Sequence, residues 1–273
     1  MENTKSNIYP TVSQAIMLLV IALLIEVAVN LPLSIYDYFK GTDYLFNRYK
    51  SFVLIILVNS FILIYGVVRS RDSLRNIFPY KSFSLWVLPL VLLTIISMQR
   101  FITYVNGFVI SHIPVPPWFA ELFNHVLESE FGFIGQVGHI VIFAAIVEEF
   151  IFRGVIMRGL LRKYSPFFAI LVSAFLFAAY HLNPWQFSVA LYLGLFLGWL
   201  RYKTRNIWLP IIAHALNNFI VLIGSSPYRP GWAVSASSFL ENISDLQYSI
   251  VLLLSVILLV FILHKYPKTQ EDS

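Results

Sequence analysis

The run Val141-Ile-Phe-Ala-Ala-Ile-Val-Glu148-Glu149-Phe-Ile-Phe-Arg153-Gly154 sets two adjacent carboxylates and a guanidinium inside a stretch that is otherwise apolar. Each intramembrane charge costs about 3 kcal/mol on insertion scales, so such groups face an interior cavity and serve a function there. Glu149 and Arg153 are four residues apart and can pair on one helix face. Glu148 lies about 100° round the helix and lacks that partner. The spacing therefore predicts a structural ion pair beside a free carboxylate.

The remainder of the chain is of the same character. Its 273 residues are 58% hydrophobic and 12% charged, with a mean hydropathy of +0.75. A helical span needs about 20 predominantly apolar residues, and the runs at 11–33, 52–68, 83–99, 132–157, 166–181, 186–200, 206–224 and 247–264 predict eight of them. A transmembrane barrel would alternate polar and apolar positions in strands of about ten residues, whereas these runs are continuously apolar. The expected fold class is all-α: a polytopic transmembrane helix bundle, one membrane domain over 1–273, without repeats or a soluble second domain.

Basic residues near span ends stay cytoplasmic. Thirteen fall on one side of the expected bundle: Lys5; Arg69, Arg71, Arg75 and Lys81; Arg158, Arg162 and Lys163; Arg201, Lys203 and Arg205; Lys265 and Lys268. Five fall on the other: Lys40, Arg48, Lys50, Arg100 and Arg229. Both termini are expected in the cytoplasm. These basic residues form no stripe, so the pI near 9.3 indicates topology and no nucleic-acid partner. Zero cysteines exclude disulfides, thiolate metal sites and a cysteine nucleophile. The first apolar run is long and interrupted by Glu26, so it is expected to be retained as a span.

Two further segments carry polar groups in apolar surroundings. Phe177-Ala-Ala-Tyr-His181 ends the fifth run with phenylalanine and histidine on one face, and Ile211-Ile-Ala-His214-Ala-Leu-Asn217-Asn218 puts His214 and Asn218 on one face of the seventh. Hydrogen-bonded helix glue is the plainer reading of either segment alone. Gly194 and Gly198, four apart in the sixth run, mark a close helix approach. Glu26 and Asn30, one turn apart in the first run, could line a cavity. His139, nine residues before Glu148, is expected on the opposite face unless the helix is broken. The stretches 100–131 and 225–246, rich in proline and tryptophan, suit an interfacial cap or a loop.

Glu148-Glu149-x-x-x-Arg153, Phe177-x-x-x-His181 and His214-x-x-x-Asn218, in that order on successive apolar segments, resemble the CPBP family of CAAX prenyl endopeptidases and bacteriocin-processing membrane proteases, also called Abi. The resemblance covers about 131–224, which would be the catalytic core. It implies a membrane-embedded endopeptidase in the plasma membrane of a prokaryote, acting on peptide or protein substrates within the lipid bilayer. By the same resemblance Glu148 would be the general base that activates water, assisted by His181. His214 and Asn218 would stabilise the tetrahedral oxyanion, and Glu149 and Arg153 would shape the site. Peptide hydrolysis does need a base for water and donors where negative charge develops. No cofactor is required on this reading. The alternative is a zinc held by Glu148, His181 and His214 with an open position.

Other chemistries fit less well. No Gly-x-Ser motif with a partnered histidine lies within a span, and there is no pair of intramembrane aspartates and no His-Glu-x-x-His segment. A transporter would use Glu26, Glu148 and Glu149 as a proton path but would need an inverted repeat or paired broken helices. A non-proteolytic immunity or scaffold role is the remaining rival. Prenylated peptides, bacteriocin leaders and signalling peptides all suit such a site.

Overall fold

The computed structural model describes residues 8–41, 48–127 and 131–264, and these are helical with no strand. Eleven helices follow in chain order: α1 (Val12–Lys40), α2 (Arg48–Ser70), α3 (Leu74–Ile77), α4 (Val87–His112), α5 (Pro117–Leu127), α6 (132–161), α7 (Pro166–Tyr180), α8 (Pro184–Thr204), α9 (Trp208–Ser225), α10 (Gly231–Glu241) and α11 (Asp245–His264). Among the described residues α1, α4, α9 and α11 are long and apolar enough to cross a membrane, while Ile56–Ser70 of α2 and all of α7 are shorter apolar helices. The outward faces of α1 and α11 carry exposed Leu24, Val27, Leu253 and Phe261. Such faces are stable against hydrocarbon, and the chain is an integral membrane protein.

Local sequence sets the helix boundaries. Thr11 and Gln14 form a reciprocal capping box at the start of α1. Ser165 and Asn183 cap α7 and α8, each followed by proline at the first helical position. The Asn206 side chain accepts from the amides of Trp208 and Leu209 at 2.6 and 3.1 Å to start α9, and donates to the Lys81 carbonyl at 2.5 Å.

Helix α6 is continuous but uneven. Two stretches within it, Val137–Phe143 and Phe150–Ile156, wind as π-helix. The Ala144 amide donates to the His139 carbonyl, five residues back, so the Ile140 carbonyl loses the donor an α-helix would give it.

Two large apolar clusters hold the helices together. One joins α1, α2, α6 and α7 around Ala22, Ile62, Phe152, Val155 and Phe177. The other joins α4, α8, α9 and α11 around Val91, Ile95, Leu197, Ala213 and Leu259. Across α4 and α11 Thr94 donates to Ser255 at 2.9 Å.

Helices α7 and α8 approach closely at the two glycines. A methyl group on Gly194 would lie 3.0 Å from Ala174 Cα and 3.3 Å from the Phe177 ring, and one on Gly198 would lie 3.1 Å from Ile170. Overpacking of this kind costs about 1–3 kcal/mol. Gly194→Val is thus expected to lower the thermal midpoint and the yield of monodisperse protein, and a wild-type midpoint would contradict the close approach.

Charged side chains pair in two groups. Arg158 and Arg162 pair with Asp72, Arg158 donates to the Asn76 carbonyl at 3.1 Å, and Arg69 lies over the Tyr9 ring. In the other group Arg100 and Tyr104 of α4 reach Asp245 at 2.7 and 2.6 Å. Lys5, Lys265 and Lys268 lie outside the described residues. Both cap stretches contain helices: α5 meets α8 through Phe119 on Trp185, and Trp232 of α10 stacks on Phe219 of α9.

Candidate active site

The polar cluster is built on α6, α8 and α9, next in the chain to Phe152 of the first apolar cluster and to Leu193 and Ala213 of the second. The Glu149 and Arg153 side chains are 0% exposed, and Arg153 Nη1 donates to Glu149 Oε1 at 2.7 Å. Arg153 Nη2 donates to the Gly194 carbonyl at 3.1 Å, and the guanidinium lies 4.7 Å from the centre of the Phe177 ring. The expected ion pair is present, anchored to α8 and covered by an aromatic face.

His214 enters this clamp from α9. Its Nδ1 lies 3.0 Å from Glu149 Oε1. An ionised carboxylate only accepts, so Nδ1 carries the hydrogen and the ring orientation is fixed. Nε2 then faces Glu148 Oε2 at 3.8 Å, beyond direct hydrogen-bond reach. Glu148 is 28% exposed and stands outside the clamp. Spacing on α9 groups His214 with Asn218, and packing also brings it to both glutamates. Glu149 Oε1 serves two donors while Oε2, also buried, has no hydrogen-bond partner among the described residues.

Asn218, one turn above His214, donates from Nδ2 to the Ile140 carbonyl at 2.9 Å. Its Oδ1 accepts from Asn217 Nδ2 at 3.1 Å. His181 follows the last turn of α7, and among the described residues it makes no ion pair with either glutamate. Its Nδ1 donates to the Phe177 carbonyl at 2.9 Å, and its ring meets Phe177 edge-on at 5.1 Å, while the same Phe177 meets His214 at 5.7 Å. Phe177 thus links Arg153, His181 and His214. The sequence showed its spacing to His181 but not this central position. Gly194 and Ile140 contribute backbone carbonyls, for which side-chain patterns carry no signal.

At 1.5 Å per residue the 15-residue α7 rises about 22 Å and ends beside His181. Near it the Tyr180 hydroxyl donates to Glu26 Oε1 at 3.2 Å, tying α7 to α1. His139 rests against Phe143 on its own helix. Among the described residues no three histidine, aspartate or glutamate side chains come together as a metal-ion site.

Residues 130–220 match the family described as type II CAAX prenyl endopeptidase Rce1-like. The segment contains all six site residues. Over this segment the match supports the resemblance of the three motifs to the CPBP family. It is 35% identical over 85 residues to a protein of Bacillus subtilis (strain 168) named "Putative membrane peptidase YdiL", an alignment spanning 31% of this chain and 35% of that protein. The matched segment is thus about a third of the relative's length. No solved structure matches the chain.

Proposed function

We propose that this chain is an intramembrane endopeptidase that hydrolyses peptide bonds of membrane-associated or lipid-modified substrates with water activated by Glu148. One observation carries the reading: Glu148 is the carboxylate left outside the buried clamp, and it faces an imidazole whose other nitrogen the clamp holds. Two groups 3.8 Å apart can share one water at about 2.8 Å from each. Glu148 takes the proton of that water as its oxygen attacks the scissile carbonyl, then returns it to the leaving amine.

The oxyanion is met by His214, which in protonated form donates from Nε2 while Nδ1 stays on Glu149, and by Asn218. His181, with Nδ1 on a backbone carbonyl, keeps Nε2 available to assist Glu148 from the outer side. No step requires a metal. Losing one oxyanion donor typically costs about 10²–10³-fold in turnover, so Asn218→Ala is expected to lower kcat by that factor with KM little changed. An unchanged kcat would remove Asn218 from the mechanism.

The proposal includes eight membrane-crossing helices, α1, α2, α4, α6, α7, α8, α9 and α11, with both termini cytoplasmic. The contacts of Arg69 with Tyr9 and of Arg158 and Arg162 with Asp72 support it. Reporter fusions at residues 1 and 273 should both read cytoplasmic, and opposite readings would refute the even count.

The function is tested by comparing membrane peptidomes of cells carrying wild-type and Glu148→Gln protein. Cleavage products should disappear with the substitution and their precursors accumulate. Identical peptidomes together with intact biological activity would point to a non-proteolytic immunity or scaffold role.

A further inference from the structure

A chain of amides runs from α4 to Asn218. Gln99 Nε2 donates to Asn217 Oδ1 at 2.6 Å, Asn217 Nδ2 donates to Asn218 Oδ1 at 3.1 Å, and Asn218 Nδ2 donates to the Ile140 carbonyl at 2.9 Å. Asn217 is buried. A primary amide can present either its oxygen or its nitrogen, and which one decides whether Asn218 donates or accepts. The far end of the chain resolves that choice. A backbone carbonyl only accepts, and the Ile140 carbonyl lacks its α-helical donor because the π turn sends the Ala144 amide to His139. Asn218 must therefore turn nitrogen toward α6 and oxygen toward Asn217. Asn217 must then give its nitrogen to Asn218 and take a donor from Gln99.

We infer that Gln99 and Asn217 are positioning residues, which with the π turn of α6 hold Asn218 with its nitrogen forward and one amide N–H free for the oxyanion. Asn218 Nδ2 has two hydrogens, and the Ile140 carbonyl takes one. Without Asn217 the amide of Asn218 loses the donor that holds its oxygen back, and rotation would bring an acceptor toward the developing negative charge. This inference rests on the peptidase reading above.

The test uses full-length protein in lipid nanodiscs and, as substrate, a peptide whose cleavage depends on Glu148. Asn217→Leu is near-isosteric and neutral, and Gln99→Met, a milder change on α4, serves if the first variant does not fold. Loss of the oxyanion donor itself costs about 10²–10³-fold, so Asn217→Leu, which acts through that donor, is expected to lower kcat by up to that factor with KM unchanged. Gln99→Met should lower kcat less. In an Asn218→Ala background neither substitution should lower it further, because the group they orient is gone. Folded variants that retain wild-type kcat, or a loss that persists in full in the Asn218→Ala background, would overturn the positioning role while leaving the peptidase reading intact. Absence of any Glu148-dependent cleavage would overturn both.

Discussion

Glu148→Gln protein should fold to wild-type yield and lose about 10²–10⁴-fold of its hydrolytic rate, the usual contribution of a positioned general base. The two halves of this expectation come from one feature of the site. Glu148 takes no part in the Arg153 clamp and is partly exposed, so glutamine can replace it without stranding a buried charge. Glutamine cannot take a proton from water, and His214, which donates from Nε2 in protonated form while Nδ1 stays on Glu149, cannot take it either. A variant that failed to fold would mean that Glu148 supports the structure. A folded variant with normal hydrolysis would mean that another group activates water.

The second large effect is on folding. Arg153→Met leaves Glu149 fully buried with only His214 to answer its charge, and breaking a buried pair from one side costs about 3–5 kcal/mol. The guanidinium also holds the Gly194 carbonyl and covers Phe177, so α8 and α7 lose contacts at the same place. Extracted protein should fall steeply in yield and thermal midpoint. Replacing both partners, Glu149→Leu with Arg153→Met, removes the stranded charge, and such exchanges are often neutral for stability. The double variant should regain folded protein but not activity, because His214 has lost the carboxylate that orients it. Equal midpoints for wild type and Arg153→Met would show that the pair contributes nothing to the fold.

Much of this site was legible before any coordinates. The Glu149–Arg153 pair follows from a spacing of four on one helix, a relation that local geometry enforces. The tie between His214 and Glu149 was not legible, because it joins α9 to α6 and depends on how the bundle packs. The π turns of α6 carry no residue pattern that distinguishes them from α-helix, yet they release the Ile140 carbonyl that fixes Asn218. Hydropathy likewise ended the third span at residue 99. Helix α4 instead runs to His112, since Arg100 finds Asp245 at the start of α11 and no longer acts as a boundary. Proline in the two outer stretches suggested loops as readily as helices. Pro117 and Pro230 sit where helices begin, positions at which a missing amide hydrogen costs nothing.

Metal-free activation of water by Glu148 is tested most directly by hydrolysis of a Glu148-dependent peptide by the purified protein in lipid nanodiscs, before and after exhaustive chelation. Wild-type protein should keep its rate through chelation, and the Glu148→Gln variant should be inactive under both conditions. Activity that disappears with chelation and returns with added zinc, or a Glu148→Gln variant as fast as wild type, would contradict it.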